Sequence, residues 1–385
     1  MTEDWRHGGF GLYVHWPFCQ AKCPYCDFNS HVARRIDHDG WRDAYLAELE
    51  RVAQDTPGRV LNSVFFGGGT PSLMQPDTVA EIIAAASRLW TPANDIEITL
   101  EANPGSVEAG RFAGFRDAGV NRVSMGIQAL SDDDLRRLGR VHTVAEARVA
   151  FDVARSCFQR VSFDLIYARQ DQTLDDWRVE LTEALGMAID HLSLYQLTIE
   201  PGTAFGDRFA VGKLRGLPSD DLSADMYDLT QDLCDAHGLP MYEVSNHARP
   251  GAESRHNQIY WNGGDYVGVG PGAHGRVTVN GRRFATECRR DPSAWLASVP
   301  QEKAENVRTP LSGLEQGEEY LMMGLRVRSG LDIARYESLT GRKLNQKARR
   351  SLSELGMIID TGNKIIVSKQ GVMLLNSVIS EFLAG

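Results

Sequence analysis

The chain has 385 residues, 42% of them apolar and 24% charged, the balance of a globular protein with room for one large domain and a smaller one. No apolar run approaches the ~20 residues of a membrane helix, and Met1-Thr-Glu-Asp-Trp5 lacks the basic and apolar regions of a secretory signal, so a cytoplasmic protein with reduced thiols is expected. A net charge of −10 argues against broad nucleic-acid binding.

The first strand is expected at Leu12–His15, and directly behind it come Cys19, Cys23 and Cys26 in a C-x3-C-x2-C loop. Three thiolates at this spacing can hold three irons of a 4Fe–4S cubane and leave the fourth iron open to a ligand. A zinc site completed by His15 or His31, or thiols without a ligand, are the other readings. Cys157, Cys234 and Cys288 are scattered singly and read as buried small apolar residues.

Strands follow at Ser63–Phe66, Ile96–Leu100, Arg122–Gly126, Val161–Ile166 and His191–Leu197. Helices are expected at Trp41–Gln54, Asp77–Leu89, Val107–Ala118, Asp132–Leu138, Val144–Cys157 and Leu174–Ala188. Six βα units in strict alternation predict an α/β fold with a parallel sheet curled into a partial barrel, a (β/α)6 rather than a closed eight. The strands' C-terminal ends would then form the functional rim. That rim would carry the cysteine loop, Gly67-Gly-Gly-Thr-Pro71, Glu101, Gln128 with Arg140 beyond it, and Asp164.

Residues 201–300 depart from the alternation. They read as a barrel extension with a helix at Ser219–His237, a strand at Met241–Ser245 and a hairpin turning at Asn280-Gly281. Within them lies His256-Asn-Gln-Ile-Tyr-Trp261. If helical, His256 and Tyr260 share one face and Asn257 and Trp261 an adjacent stripe. An imidazole beside aromatic rings suits heme, although a hydrogen-bonded packing histidine is the alternative reading. His142 and His237 read as surface or cap residues. The charged stretch Gln301–Arg308 reads as a linker. Helices at Glu315–Arg328, Leu331–Leu339 and Lys347–Leu355, a β-wing around Asp360-Thr-Gly-Asn363 and a last helix at Gly371–Leu383 outline a winged-helix-like C-terminal domain over 301–385. The core would be 1–200.

Tyr13-Val-His-Trp-Pro-Phe-Cys19, Gly67-Gly-Gly-Thr-Pro71, Glu101-Ala-Asn-Pro104, Ser124-Met-Gly-Ile-Gln128 and Asp164-Leu-Ile-Tyr167 resemble the oxygen-independent coproporphyrinogen oxidase group of the radical S-adenosylmethionine (SAM) superfamily. The resemblance implies a cluster on the three cysteines and SAM contacts from Tyr13, Gly68, Gly69, Thr70 and Glu101. It adds Tyr25, Gln128, Arg140 and Asp164 as a further SAM-binding region. Within the group, Cys23-Pro-Tyr-Cys-Asp-Phe28 is similar to the HemW-type heme chaperone branch, because Phe28 stands where the oxidases carry a fourth cysteine. The oxidases also have a longer N-terminal extension. His256, Asn257, Tyr260 and Trp261 match that branch's H-N-x-x-Y-W heme signature, with His191, His247 and His274 as other axial candidates. The resemblance thus implies a heme carrier with a 4Fe–4S cluster and SAM that passes heme to acceptor hemoproteins, membrane-bound respiratory proteins among them. It would be a monomer or weak dimer, with no catalytic residue assigned. The competing reading is a radical SAM enzyme that decarboxylates porphyrinogen propionates. One local departure is Ala168-Arg-Gln-Asp171, where relatives read Gly-Leu-Pro.

Overall fold

The computed structural model describes residues 3–384. Six strands run parallel in chain order: β1 (Phe10–Trp16), β2 (Val60–Gly68), β3 (Thr91–Ala102), β4 (Arg122–Gln128), β5 (Arg160–Tyr167) and β6 (His191–Gln196). They form an open α/β barrel wall, as the alternation predicts. Each crossover helix buries one stripe on the wall. Val144–Cys157 opens on a capping box, Thr143 with Glu146, and turns Ala147, Ala150, Phe151 and Ala154 inward. Phe151 meets Phe163 of β5 edge-to-face at 5.3 Å.

Both edges of the wall are extended by later segments. On one side β8 (Asn246–Ala248) adds antiparallel to β6, and β7 (Met241–Glu243) pairs antiparallel with β8 at the edge. On the other, β9 (Asp265–Val269) lies parallel to β1, from Phe10 beside Asp265 to Val14 beside Val269. Beyond it come β10 (His274–Val279), β11 (Arg282–Cys288) and β12 (Glu305–Pro310), all antiparallel. The Asn280-Gly281 turn has φ of 51° and 75°, the left-handed pair of a two-residue hairpin.

Four expectations need correction. The second half of the stretch read as a linker, Gln301–Arg308, becomes part of edge strand β12, where Arg308 pairs with Glu305 and Asp55. Charge on an edge strand discourages further pairing and looks like a linker in sequence. The helix expected over Val107–Ala118 is broken into Ser106–Ala109 and Phe112–Asp117. Cys157 is half-buried rather than buried, while His142 is buried with Nε2 3.1 Å from the Ile127 carbonyl.

A second core gathers Leu321, Leu331, Leu344, Leu352, Ile365 and Phe382 from the C-terminal helices and the small sheet in which Lys364–Val367 pairs with Ile358–Asp360 and Leu331–Asp332. This lobe is tied to the barrel by Arg326 to Glu243 and by Arg335 to Asp4, both 2.7 Å. The departing loop after β5 also has a physical account. Ala168 has φ of 58°, the left-handed region that glycine occupies without a Cβ penalty. Arg169, buried, holds the turn through Glu180 at 2.6 Å and Asp134 at 3.0 Å.

Candidate functional site

The strand tips and the cysteine loop enclose one cleft. It is lined by Cys19, Cys23, Tyr25, Cys26 and Phe28 on one side, and by Gly68, Gly69, Thr70, Glu101, Gln128, Arg140 and Asp164 on the other. The three cysteines are half-buried. Each sulfur is faced by a polar hydrogen from outside the motif: Thr70 Oγ1 lies 3.4 Å from Cys19, Arg140 Nη1 3.4 Å from Cys23, and Ser30 Oγ 3.7 Å from Cys26. Donors aimed at sulfur stabilise the thiolate, the form that ligates iron.

The histidines that could complete a zinc site are committed elsewhere. His15 is buried, with Nδ1 3.0 Å from the Tyr13 hydroxyl and Nε2 2.9 Å from the Asn29 carbonyl. His31 Nε2 lies 3.1 Å from Asn29 Oδ1. Among the described residues, no three His, Cys, Asp or Glu side chains are gathered for a single ion. A cubane takes one thiolate per iron at separate corners and asks for a wider triangle.

Glycine spacing positions the loop itself. A Cβ on Gly69 would lie 2.7 Å from the Phe18 carbonyl, and one on Gly67 would lie 2.9 Å from the Tyr13 ring. Gly68 has φ of 110° and packs on the His15 imidazole. The three glycines therefore admit β1 and the backbone ahead of the cysteines, where sequence suggested room for a ligand. Gly69 N–H donates to the Trp16 carbonyl at 2.7 Å and Thr70 N–H to Phe18 at 2.9 Å, stitching the second strand tip to the loop.

Asn103 went unnoticed in sequence although it sits inside the quoted Glu101-Ala-Asn-Pro104 run. Its amide donates to Thr70 Oγ1 at 3.0 Å and accepts from Arg140 Nη2 at 2.5 Å, so it joins the donors to two of the sulfurs. Arg140 Nη2 also reaches the Gly126 carbonyl at 2.7 Å. Gln128 has φ of 76°, a strained conformation at a strand tip facing the cleft.

Two carboxyls share the cleft floor. Burial, with Asp164 nearby, raises Glu101 to about 8, partly offset by the Gly68 N–H donating at 3.2 Å. Burial raises Asp164 to about 6, offset chiefly by the Ser193 hydroxyl and Arg122. Both shifts come chiefly from burial, and such carboxyls suit a cationic or hydroxyl-bearing ligand.

Tyr13 lies apart from the cleft lining, one layer beneath. Its ring stacks on Phe65 at 6.2 Å and tilts over His256 at 6.2 Å. His256 belongs to a short helix, Arg255–Trp261, whose first amides are capped from inside the barrel by Glu97 Oε1, 3.0 Å from Arg255 N. The helix is as expected, but His256 does not face an open pocket. It is 1% exposed, with Ser63 Oγ 2.7 Å from Nδ1 and Tyr260 Oη 2.5 Å from Nε2. Asn257 is half-buried, and Trp261 packs edge-on against Tyr242 at 5.7 Å. The other axial candidates differ in access: His191 and His247 are buried, while His274 is exposed.

The sequence matches the Radical SAM superfamily over residues 13–182 and the HemN C-terminal domain over residues 311–374. It is 36% identical to the heme chaperone HemW of Escherichia coli strain K12, across 97% of this chain and 98% of that protein. The chain belongs to the HemW family of radical SAM proteins. It is also 38% identical to the zebrafish (Danio rerio) mitochondrial radical S-adenosyl methionine domain-containing protein 1, across 97% of this chain and 86% of that one. Among solved structures, the coproporphyrinogen III oxidase HemN of E. coli superposes with a TM-score of 0.82 over 97% of this chain and 90% of its own, at 22% identity, a likeness of fold. A 4Fe–4S cluster and SAM are the cofactors of the superfamily, and the donor set of this cleft fits them: three half-buried sulfurs facing hydrogen-bond donors beside an acidic floor. No described helix of this HemW-family chain is long and apolar enough to cross a membrane.

Proposed function

We propose that the chain is a heme chaperone: it takes up heme and passes it to acceptor hemoproteins. The observation that carries this reading is the end-to-end similarity to HemW, 36% identity over 98% of the relative. The cysteine loop supports it, since Phe28 stands 60% exposed at the cleft where the oxidases carry a further cysteine. The cluster, when bound, supplies an electron and an open iron. Cys19, Cys23 and Cys26 would hold it, with Thr70, Arg140 and Ser30 orienting the sulfurs. SAM would lie over Gly68, Gly69 and Thr70, and the acidic floor of Glu101 and Asp164 would attract its positive charge, beside Tyr25, Gln128 and Arg140. Tyr13 braces that floor from below. No side chain is assigned a catalytic role, and the chain acts as a carrier rather than a turnover enzyme. It works in the cytoplasm and meets its acceptors there, membrane-bound respiratory proteins included. Heme contact by His256, Asn257, Tyr260 or Trp261 remains part of the reading, but an axial bond from His256 would first require its links to Ser63 and Tyr260 to open. Anaerobic reconstitution of the cluster, loading with heme and mixing with an apo-hemoprotein tests the proposal. Heme should move to the acceptor, and a chain that retains no heme would overturn it.

A further inference from the structure

The groups that donate to Cys19 and Cys23 come from different parts of the chain, yet one side chain joins them. Thr70 follows the tip of β2, and Arg140 follows the helix Asp132–Arg137. Asn103, just past the tip of β3, lies between the two and lines the same cleft. Its Nδ2 is 3.0 Å from Thr70 Oγ1, and its Oδ1 is 2.5 Å from Arg140 Nη2. Thr70 Oγ1 in turn lies 3.4 Å from the Cys19 sulfur, and Arg140 Nη1 lies 3.4 Å from the Cys23 sulfur.

Chemistry fixes the direction of each hydrogen along this path. A guanidinium only donates, so the amide atom that meets Arg140 must be the oxygen. The amide nitrogen is thereby turned to Thr70, where it donates. Thr70 is 3% exposed, and with its oxygen accepting from Asn103 its one hydrogen is left for the Cys19 sulfur. A turned amide would set N–H against N–H at Arg140 and draw the Thr70 hydrogen away from the sulfur. The Gly126 carbonyl, 2.7 Å from the same Nη2, holds the guanidinium at this angle. The positive charge at the head of the path polarises the amide and then the hydroxyl, and bonds aligned in this way strengthen one another.

Cys26 stands outside the path, since its sulfur faces Ser30 Oγ of its own loop at 3.7 Å. Hydrogen bonds to ligating sulfurs favour the electron-rich reduced cluster and are one of the levers on its potential.

We propose that Asn103 is a positioning residue that sets the reduction potential of the cluster, aiming the Thr70 hydroxyl at Cys19 and the Arg140 guanidinium at Cys23. This rests on the reading that Cys19, Cys23 and Cys26 hold the cluster. The test is the midpoint potential of the anaerobically reconstituted full chain without SAM, followed by the electron paramagnetic resonance of the reduced cluster. Asn103→Asp replaces the donor to Thr70 by an acceptor. It should make the potential more negative by about 59 mV or more, a tenfold change in a one-electron equilibrium. Asn103→Leu frees both donors without adding charge and should move the potential the same way by less. In a Thr70→Val background the Asn103→Asp shift should shrink, because the hydroxyl it redirects is gone. Ser30→Ala, acting on Cys26, should add the same shift to the wild type and to Asn103→Asp. All potentials are compared at full iron content, and if Asn103→Asp holds no cluster, Asn103→Leu decides. An unchanged potential in the Asn103 variants overturns the proposal, as does an Asn103→Asp shift that Thr70→Val leaves undiminished. A wild type that takes up no cluster overturns the ligand reading instead.

Discussion

The imidazole of His256 lies beneath the ring of Phe65, centroids 5.0 Å apart and planes 27° apart. Phe65 belongs to β2, whose tip carries the glycines that stitch the cysteine loop in place. A residue of the heme signature therefore packs under the strand that shapes the cofactor cleft, and its replacement will be felt there.

His256→Ala should destabilise the apo chain by about 2–4 kcal/mol, because it opens a cavity under Phe65 and unpairs Ser63 and Tyr260. Ser63→Ala should cost about 1–2 kcal/mol by leaving Nδ1 unpaired. Urea unfolding measures both. If His256→Ala keeps wild-type stability, the histidine does not support β2 from beneath.

The cluster should depend on Cys19, Cys23 and Cys26 alone. Alanine at any of the three should abolish the charge-transfer absorption of the reconstituted protein. Alanine at Cys157, Cys234 or Cys288 should leave it, since the last two are buried apart from the cleft and the first lies at the end of a crossover helix. Loss of absorption in one of these latter variants would require a different ligand set.

Protonation of the cleft floor should set a pH dependence. The carboxyl of Glu101 is raised to about 8 and that of Asp164 to about 6, so folding favours their protonated forms. The stabilising contribution is full below their unfolded values near 4 and is lost as pH rises through about 6 and then about 8. Glu101→Gln should flatten the upper part of that fall, read as the difference in urea midpoint between wild type and variant across pH. By the same linkage, SAM binding should tighten as pH rises if its cationic groups face these carboxylates. A pH-independent difference between wild type and Glu101→Gln would place no titration at this residue.

Ala168→Gly should stabilise the chain modestly. A left-handed alanine costs about 1–2 kcal/mol and the added freedom of glycine returns about 0.5–1 kcal/mol, which leaves a gain of about 0.5–1 kcal/mol. Thermal unfolding of the apo variant should show a higher midpoint, and a lower one would mean that the methyl group is needed by its neighbours.

Decarboxylation of coproporphyrinogen should be absent. Phe28 fills the position of the oxidases' further cysteine with an exposed apolar ring at the cleft. An anaerobic assay with a reducing system and SAM should yield no product. Formation of protoporphyrinogen would promote the oxidase reading.

By itself the sequence determined what is local and periodic. The six βα units, the cysteine loop behind the first strand, the helix Val144–Cys157 and the Asn280-Gly281 hairpin follow from apolar spacing and turn residues within a few positions of each other. It also put the cleft residues on one rim, because parallel strands send all their C-terminal ends the same way. Only the tertiary structure decided the rest, because long-range pairing leaves no short-range mark. A five-residue strand, Asp265–Val269, joins β1 from about 250 residues away, and a charged segment becomes an edge strand. The triple glycine could equally have faced a ligand or a neighbouring chain segment. Which one it faces depends on the approach of Phe18 and His15, fixed by packing. His256 could have pointed out to heme or in to the barrel. The inward choice follows from Ser63 on β2 and Glu97 on β3, two side chains distant in sequence that meet the helix only once the barrel wall has formed.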